Sequence, residues 1–280
     1  MSPAPADDLR QLVRQHKWYH TLELAPDLIT PGWFDTREVA TRLPWPSLTG
    51  LRCLDVGTFD GFWAFEMERR GAAQVVAIDV PDPANWDWPA VSDPRVREEI
   101  GRRKGQGEGF VLAQRVLGSA VERRDLSVYD LEPAVLGSFD FVYLGSLLVH
   151  LRDPVGALSA VRSVCRGTLM VVDGVDASLS ALTRRPAAWL DGMGRPWWWK
   201  ANVAGVARMV EAAGFELEAP PRRVWMKAGE GQRSEAGLEP GASRPPLGQV
   251  VRQLRSAAGR ESLLWVTAGD PHVCVLARPA

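Results

Sequence analysis

The sequence predicts an α/β protein: a doubly wound, mostly parallel sheet entered through an N-terminal helical preface. Three observations carry that expectation. First, Leu51 to Val80 reads as strand, glycine turn, helix, strand. Cys53, Leu54 and Val56 form an apolar run ending at Gly57, and Phe62, Phe65, Glu66 and Arg69 repeat at helical spacing until Gly71. Val75 to Ile78 is a second apolar run, ending in Asp79. Second, Phe139 to Leu144 is near-continuously apolar, as a central parallel strand covered on both faces must be. Third, 280 residues at 46% hydrophobic and 24% charged suffice for one large core, or one core plus a small addition.

Residues 1–50 form the preface. Asp7 or Asp8 caps a helix through about Gln15, which leads into Trp18-Tyr19-His20. Pro31-Gly32 is a turn, and Asp35 or Thr36 caps a second short helix ended by Pro44 and Pro46. In residues 51–280, a right-handed βαβ unit places the turn Gly57–Gly61 beside Asp79 at the carboxyl edge of the sheet, where open α/β sheets bind ligands. A dinucleotide fingerprint needs a second glycine for the pyrophosphate, and here Phe59 stands there, followed by Asp60. That suits a ligand without a pyrophosphate. S-adenosylmethionine (SAM) is one, a sulfonium amino acid on an adenosine whose ribose diol calls for a carboxylate such as Asp79. An ordinary turn in an unrelated α/β protein is the alternative.

Beyond Asp79 the chain is polar and proline-rich, and the run RVREEIGRRKGQGEGF of mixed charge reads as a solvated helix face. Phe110 to Leu117 form a helix, and Val121 to Val128 a third strand leading to Tyr129 and Asp130. The fourth strand, Phe139 to Leu144, opens into GSLLVHLRDP, where His150 begins a helix continuing past Pro154. Gly167 to Val172 is a fifth strand. The excursion 174–201 holds Trp189 and Pro196-Trp197-Trp198-Trp199-Lys200, whose rings either roof an acceptor or pack the core. Clustered rings stack a planar substrate and favour a sulfonium cation. Asn202 caps a helix ended by Gly214, and Phe215 to Met226 is a sixth strand. Residues 228–246 read as a mobile loop, Leu247 to about Ala258 as a helix and Val273 to Ala277 as the last strand.

The segment D-V-G-T-F-D-G resembles the first motif of the class I SAM-dependent methyltransferases, D/E-x-G-x-G-x-G; Asp55, Gly57 and Gly61 match and Phe59 departs. W-Y-H-T-x-E-L…T-P-G-W-F-D is similar to the preface of the group around the tRNA wobble-uridine (carboxymethylating) enzyme, which also contains many small-molecule enzymes. GSLLVHLRDP is close to that group's L-G-x-x-L-Y-H-L-R-D-P. The resemblance implies the Rossmann-like class I methyltransferase fold, with seven strands of which the last is antiparallel, and SAM as cofactor. It assigns Trp33, Arg37, Asp55, Gly57, Thr58, Gly61, Asp79 and Val80 to the cofactor side. Tyr129 would lie beside the adenine, Asp130 accept from its amino group, and Leu144, Gly145 and Ser146 lie under the cofactor. Trp18, Tyr19, His20, Val149, Trp189, Trp197 and Trp198 would face the acceptor. His150 is the general-base candidate, unless with Arg152 and Asp153 it only orders the turn. Val149 stands where the tRNA enzyme has a tyrosine for carboxylated SAM, which favours ordinary SAM.

A net charge of −1 supplies no field toward nucleic acid or anionic membrane. Cys53, Cys165 and Cys274 are widely spaced within apolar runs, which suggests buried thiols of a reduced, cytoplasmic setting, and no metal-ligand spacing is present. Neither a signal peptide nor a membrane span is expected. Three readings remain: a methyltransferase of a small, aromatic or planar acceptor, an RNA methyltransferase of the wobble-uridine type, and a non-catalytic SAM-binding module. The acceptor atom, O, N or C, stays open.

Overall fold

The structure is a computed structural model that describes residues 6–191, 196–235 and 269–280. The preface comprises α1 (Ala6–Gln15), β1 (Glu23–Ala25), β2 (Leu28–Ile29), β3 (Phe34–Asp35) and α2 (Arg37–Arg42). Then come β4 (Arg52–Val56), α3 (Phe62–Arg69), β5 (Gln74–Asp79), α4 (Pro94–Lys104), α5 (Glu108–Leu117), β6 (Glu122–Asp125) and α6 (Pro133–Leu136). They are followed by β7 (Phe139–Gly145), α7 (Pro154–Val164), β8 (Cys165–Gly174), α8 (Ala177–Leu182), β9 (Ala188–Leu190) and β10 (Trp199–Ala201). The chain continues with α9 (Val203–Ala212), β11 (Phe215–Leu217), β12 (Arg222–Ala228), α10 (Glu230–Glu235) and β13 (Asp270–Pro279).

The main sheet runs in the order β3-β12-β13-β8-β7-β4-β5-β6, with β11 also on β13. Strands β6, β5, β4, β7 and β8 are parallel, and β13 enters antiparallel between β8 and β12. Alternation along the strands sorts the side chains into two cores. Leu54, Val56, Val142 and Leu144 face α7 and α9, while Cys53, Phe141 and Tyr143 face α3, α5 and the preface. The edge where the parallel strands end is therefore held between two packed layers, and the loops that leave it build the site.

Several expectations change. The described sheet has nine strands rather than seven, because β3 of the preface pairs with β12 and the adjacent prolines Pro220-Pro221, which lack N–H donors, divide the sixth strand into β11 and β12. The preface also carries a β1–β2 hairpin and so is not purely helical. The third strand stops at Asp125, and the Ser127 hydroxyl accepts from the Tyr129 N–H to start the 3-10 turn Val128–Asp130. His150 ends a 3-10 turn, Leu148–His150, and the helix begins at Pro154 under an Asp153 cap that accepts from the Gly156 N–H. The run 94–104 is helical, but Arg103 and Lys104 at its end are buried. The segment 228–246 reads as a loop in the sequence, but Ala228 belongs to β12, the Gly229 N–H donates to Trp33 O and 230–235 form α10; residues 236–246, and the helix expected over 247–258, lie outside the described residues. Cys53, Cys165 and Cys274 are buried free thiols. Among the described residues no helix is long and apolar enough to cross a membrane.

Candidate active site

A cavity of about 910 Å³ opens at the carboxyl ends of β4, β5 and β7, between the preface and the loops after β5 and β8. Its floor is the turn after β4. Gly57, at φ +78°, lets the chain double back so that the N–H groups of Gly57 and Thr58 both donate to the Ile78 carbonyl, at 3.0 and 3.1 Å. Asp79 ends β5 and accepts the Phe59 N–H at 2.6 Å, and the fully buried Lys104 ammonium is ion-paired with the same carboxylate oxygen. Phe59 takes φ +50°, where glycine would sit without strain. Its ring stacks on Tyr19 at 4.4 Å, with Lys104 Nζ 4.7 Å from its centre.

Two more carboxylates brace the neighbouring loops. Asp60 Oδ2 accepts the N–H groups of Tyr19 and His20 at 2.6 and 3.0 Å, tying the preface to the glycine turn. Burial pushes its carboxyl up to about 7, and pushes that of Asp55 to about 7 as well. Asp173 Oδ2 accepts from Leu147 and Leu148, both at 2.8 Å, and so fixes the loop after β7.

Two histidines on the wall are oriented by main-chain carbonyls. His150 Nδ1 lies 2.7 Å from Pro196 O. Because a carbonyl only accepts, Nδ1 carries the proton and Nε2 the lone pair. Burial lowers the His150 pKa, which keeps the ring neutral at pH 7. His272 Nδ1 faces Asp270 O at 3.1 Å, and its Nε2 lies 3.0 Å from Ser146 Oγ. His20 is held neutral by burial and by Lys104, its pKa pushed down to about 3.

The roof is aromatic. Trp86 and Trp88 stack at 5.6 Å, and their indole N–H groups donate to Val80 O and Pro83 O. Trp33 lies under the Arg103 guanidinium, and Trp197 donates to Asp191.

Of the residues singled out from the sequence, Tyr19, His20, Trp33, Gly57, Asp79, Val80, Tyr129, Gly145, Ser146, Val149, His150 and Trp197 line this cavity. The others are held elsewhere. Trp18 is a core side chain donating to Val13 O. Arg37 is turned into a two-point ion pair with Asp35. Asp55 and Thr58 are buried and do not line the cavity. Gly61 caps α3 against Phe65 and Phe110, where a Cβ would meet ring carbons at 2.5 and 2.7 Å. Asp130 is exposed at the end of its 3-10 turn, because the strand stops earlier than expected. Leu144 is in the core. Trp189 is 54% exposed on the β9–β10 hairpin, and Trp198 braces the wall through its indole N–H to Asp87 O without lining the cavity. Sequence reasoning missed Trp86, Lys104 and His272, and read Phe59 only as a departure from the glycine motif, not as a ring on the cavity wall. The W-D-W of the loop after β5 was the available signal for Trp86; Lys104 and His272 owe their places to partners distant in the chain.

The donor set fits an adenosyl amino acid: a carboxylate at the end of β5, a tight glycine turn beside it, the Tyr129 ring on the wall and, among the described residues, no glycine-lined pyrophosphate cradle. Comparison with known proteins agrees. A family described as "Methyltransferase domain" matches residues 20–219. The chain is 26% identical over 196 residues to a ubiquinone biosynthesis O-methyltransferase of Hahella chejuensis, covering 68% of each. It is 26% identical over 178 residues to a tRNA U34 carboxymethyltransferase of Dichelobacter nodosus, covering 61% of this chain but only 48% of that relative. The N-terminal domain of EvdMO1, crystallised with S-adenosylhomocysteine and D-fucose, superposes with a TM-score of 0.55 over 99% of this chain and 98% of that one; at 16% identity this shows the fold. The chain belongs to the methyltransferase domain family and is a class I SAM-dependent methyltransferase.

Proposed function

We propose that this methyltransferase acts on a small, planar or aromatic acceptor, with SAM held on the floor of the cavity and His150 as the general base. The observation that carries the reading is an aromatic-walled cavity of about 910 Å³ into which a neutral imidazole, locked through Nδ1, presents its lone pair. A volume at the upper end of the ~300–1,000 Å³ usual for small-molecule sites leaves room for cofactor and acceptor together.

Bound SAM supplies an electrophilic methyl group on a sulfonium. The chain's own residues supply geometry and a proton acceptor. Asp79 takes the ribose diol: among the described residues both polar contacts of its carboxylate, with the Phe59 N–H and Lys104, fall on Oδ2, which leaves Oδ1 for the diol. Tyr129 flanks the adenine. Tyr19, Phe59, Trp33, Trp86 and Trp197 stack the acceptor, exclude water and hold it at attack distance. His150 Nε2 receives the proton of an acceptor hydroxyl or ring carbon, whereas an amine would need only the positioning. Near-zero net charge supports a small acceptor over RNA, whose phosphates call for a basic face. The test is incubation with methyl-labelled SAM and either the small-molecule or the RNA fraction of a cell extract. Label should enter the small-molecule fraction; label confined to RNA would overturn the proposal.

A further inference from the structure

Four segments outside the main sheet meet over the cavity: the loop after β5, the 3-10 turn after β6, the turn after β7 and the end of the excursion after β8. No ladder of strand hydrogen bonds ties them, so their order rests on single contacts. Asp87, in the loop after β5, reaches the other three. It lines the cavity with a side chain 15% exposed. Its Oδ2 accepts the Tyr129 hydroxyl at 3.0 Å and the Arg152 N–H at 2.6 Å, and its main-chain carbonyl accepts the Trp198 indole N–H.

These contacts extend to both ends of the site. On the cofactor side the Tyr129 oxygen also accepts the Asp153 N–H at 3.2 Å, so the phenol is held by one bond given and one received. Burial, together with the Asp87 carboxylate beside it, pushes the Tyr129 pKa up to about 12, and at pH 7 the hydroxyl keeps the proton that it donates. On the other side the Trp198 N–H donates to Val149 O at 2.8 Å and the Trp199 indole to Arg152 O at 3.1 Å, while the Arg152 guanidinium lies 6.0 Å from the centre of the Trp198 ring. These bonds seat residues 196–199, and Pro196 O is the carbonyl that takes the His150 Nδ1 proton. The direction of the Nε2 lone pair therefore depends on a segment that Asp87 helps to anchor.

We propose that Asp87 is a positioning residue that joins the adenine wall to the general base, making Tyr129, residues 196–199 and His150 one unit. It acts through its neighbours: without its carboxylate the Tyr129 ring loses its anchor and residues 196–199 move off the imidazole. The inference rests on Tyr129 as the adenine wall and His150 as the base, and its test needs no methyl acceptor.

The experiment is nitrogen-15 and proton NMR of the histidine side chains in the full chain, the His150 signals being those that His150→Gln removes. In the wild type Nδ1 should carry the proton and exchange it slowly with water. In Asp87→Ala that exchange should be at least about tenfold faster, and calorimetry should show S-adenosylhomocysteine bound about two- to tenfold more weakly, the scale of one lost ring contact. Asp87→Asn keeps an oxygen in place for both donors and should restore both readouts to within about twofold, whereas a role for charge alone would leave it like the alanine variant. If Asp87→Ala does not fold, Tyr129→Phe, which removes one of the two donors, should move both readouts in the same direction. Unchanged His150 exchange in the variant, altered exchange with unaltered cofactor affinity, or no restoration by Asp87→Asn overturns this inference alone. A wild-type His150 with Nδ1 bare overturns the base reading with it.

Discussion

The floor and the roof of the cavity are held together by different chemistry. On the floor, buried carboxylates grip main-chain N–H groups: Asp79 that of Phe59, Asp60 those of Tyr19 and His20, Asp173 those of Leu147 and Leu148. In the roof, four indole N–H groups each reach one carbonyl, Trp86 to Val80, Trp88 to Pro83, Trp198 to Asp87 and Trp199 to Arg152, while Trp197 donates to the Asp191 carboxylate. Charge-assisted bonds are roughly twice as strong as neutral ones, and these carboxylates make one to three apiece. The floor is therefore set before any ligand arrives, whereas the roof is stitched mostly by separate weak bonds, two within the loop after β5 and two between segments far apart in the chain.

The largest expected effect lies where floor and roof meet. His150→Gln should lower the turnover number by about 10²–10⁴-fold with SAM affinity unchanged, the usual cost of a positioned base. A loss below about tenfold in single-turnover kinetics would make His150 a structural residue and point to an amine acceptor. Next is Lys104→Met, which strands the Asp79 carboxylate in the interior. Breaking one side of a buried pair costs about 3–5 kcal/mol, to be read by urea denaturation. A change under 1 kcal/mol would show that the floor does not depend on this pair.

A third experiment separates the regions by pH. Asp60 goes from an ordinary 3.8 to about 7 on folding, so its contribution to stability is full below about pH 4 and is lost as pH rises through 7. Asp60→Asn removes that loss. Relative to wild type it should gain stability by up to about 1.4 kcal/mol per pH unit between pH 4 and 7. His20, pushed down to about 3, has the opposite slope, losing stability as pH falls below 6.5, and cancels in the difference. A pH-independent difference between the two denaturation curves would refute the assignment. The smallest effects belong to the roof. Trp199→Phe, which cuts one indole bond, should cost about 0.5–1.5 kcal/mol, and the half-exposed Trp189 should tolerate alanine within about 0.5 kcal/mol in thermal melts.

What the sequence disclosed follows the same division. The β4–α3–β5 unit and Asp79 were legible because their signal is local: apolar period, glycine spacing and a carboxylate at a strand end. Lys104 was not, because a lysine in a run of mixed charge reads as solvated until the fold sets it against Asp79. His272 was hidden for the same reason, its partner Ser146 lying 126 residues away. The Trp-rich run after β8 was visible as composition only. Which rings turn inward is decided by the β9–β10 hairpin and by carbonyls of other loops, so Trp197 reaches the cavity while Trp189 and Trp198 do not. The Phe59 departure from the glycine motif was legible, but its positive φ and its stacking on Tyr19 were not.

We propose that the carboxylate floor, and not the tryptophan roof, holds the cofactor. Calorimetry of S-adenosylhomocysteine with wild type, Asp79→Asn and Trp198→Phe tests it most directly. Asp79→Asn should lose about 1.5–3 kcal/mol, or roughly 10- to 150-fold in Kd, while Trp198→Phe stays within about twofold. An Asp79→Asn affinity equal to wild type, or a larger loss in Trp198→Phe, would contradict it.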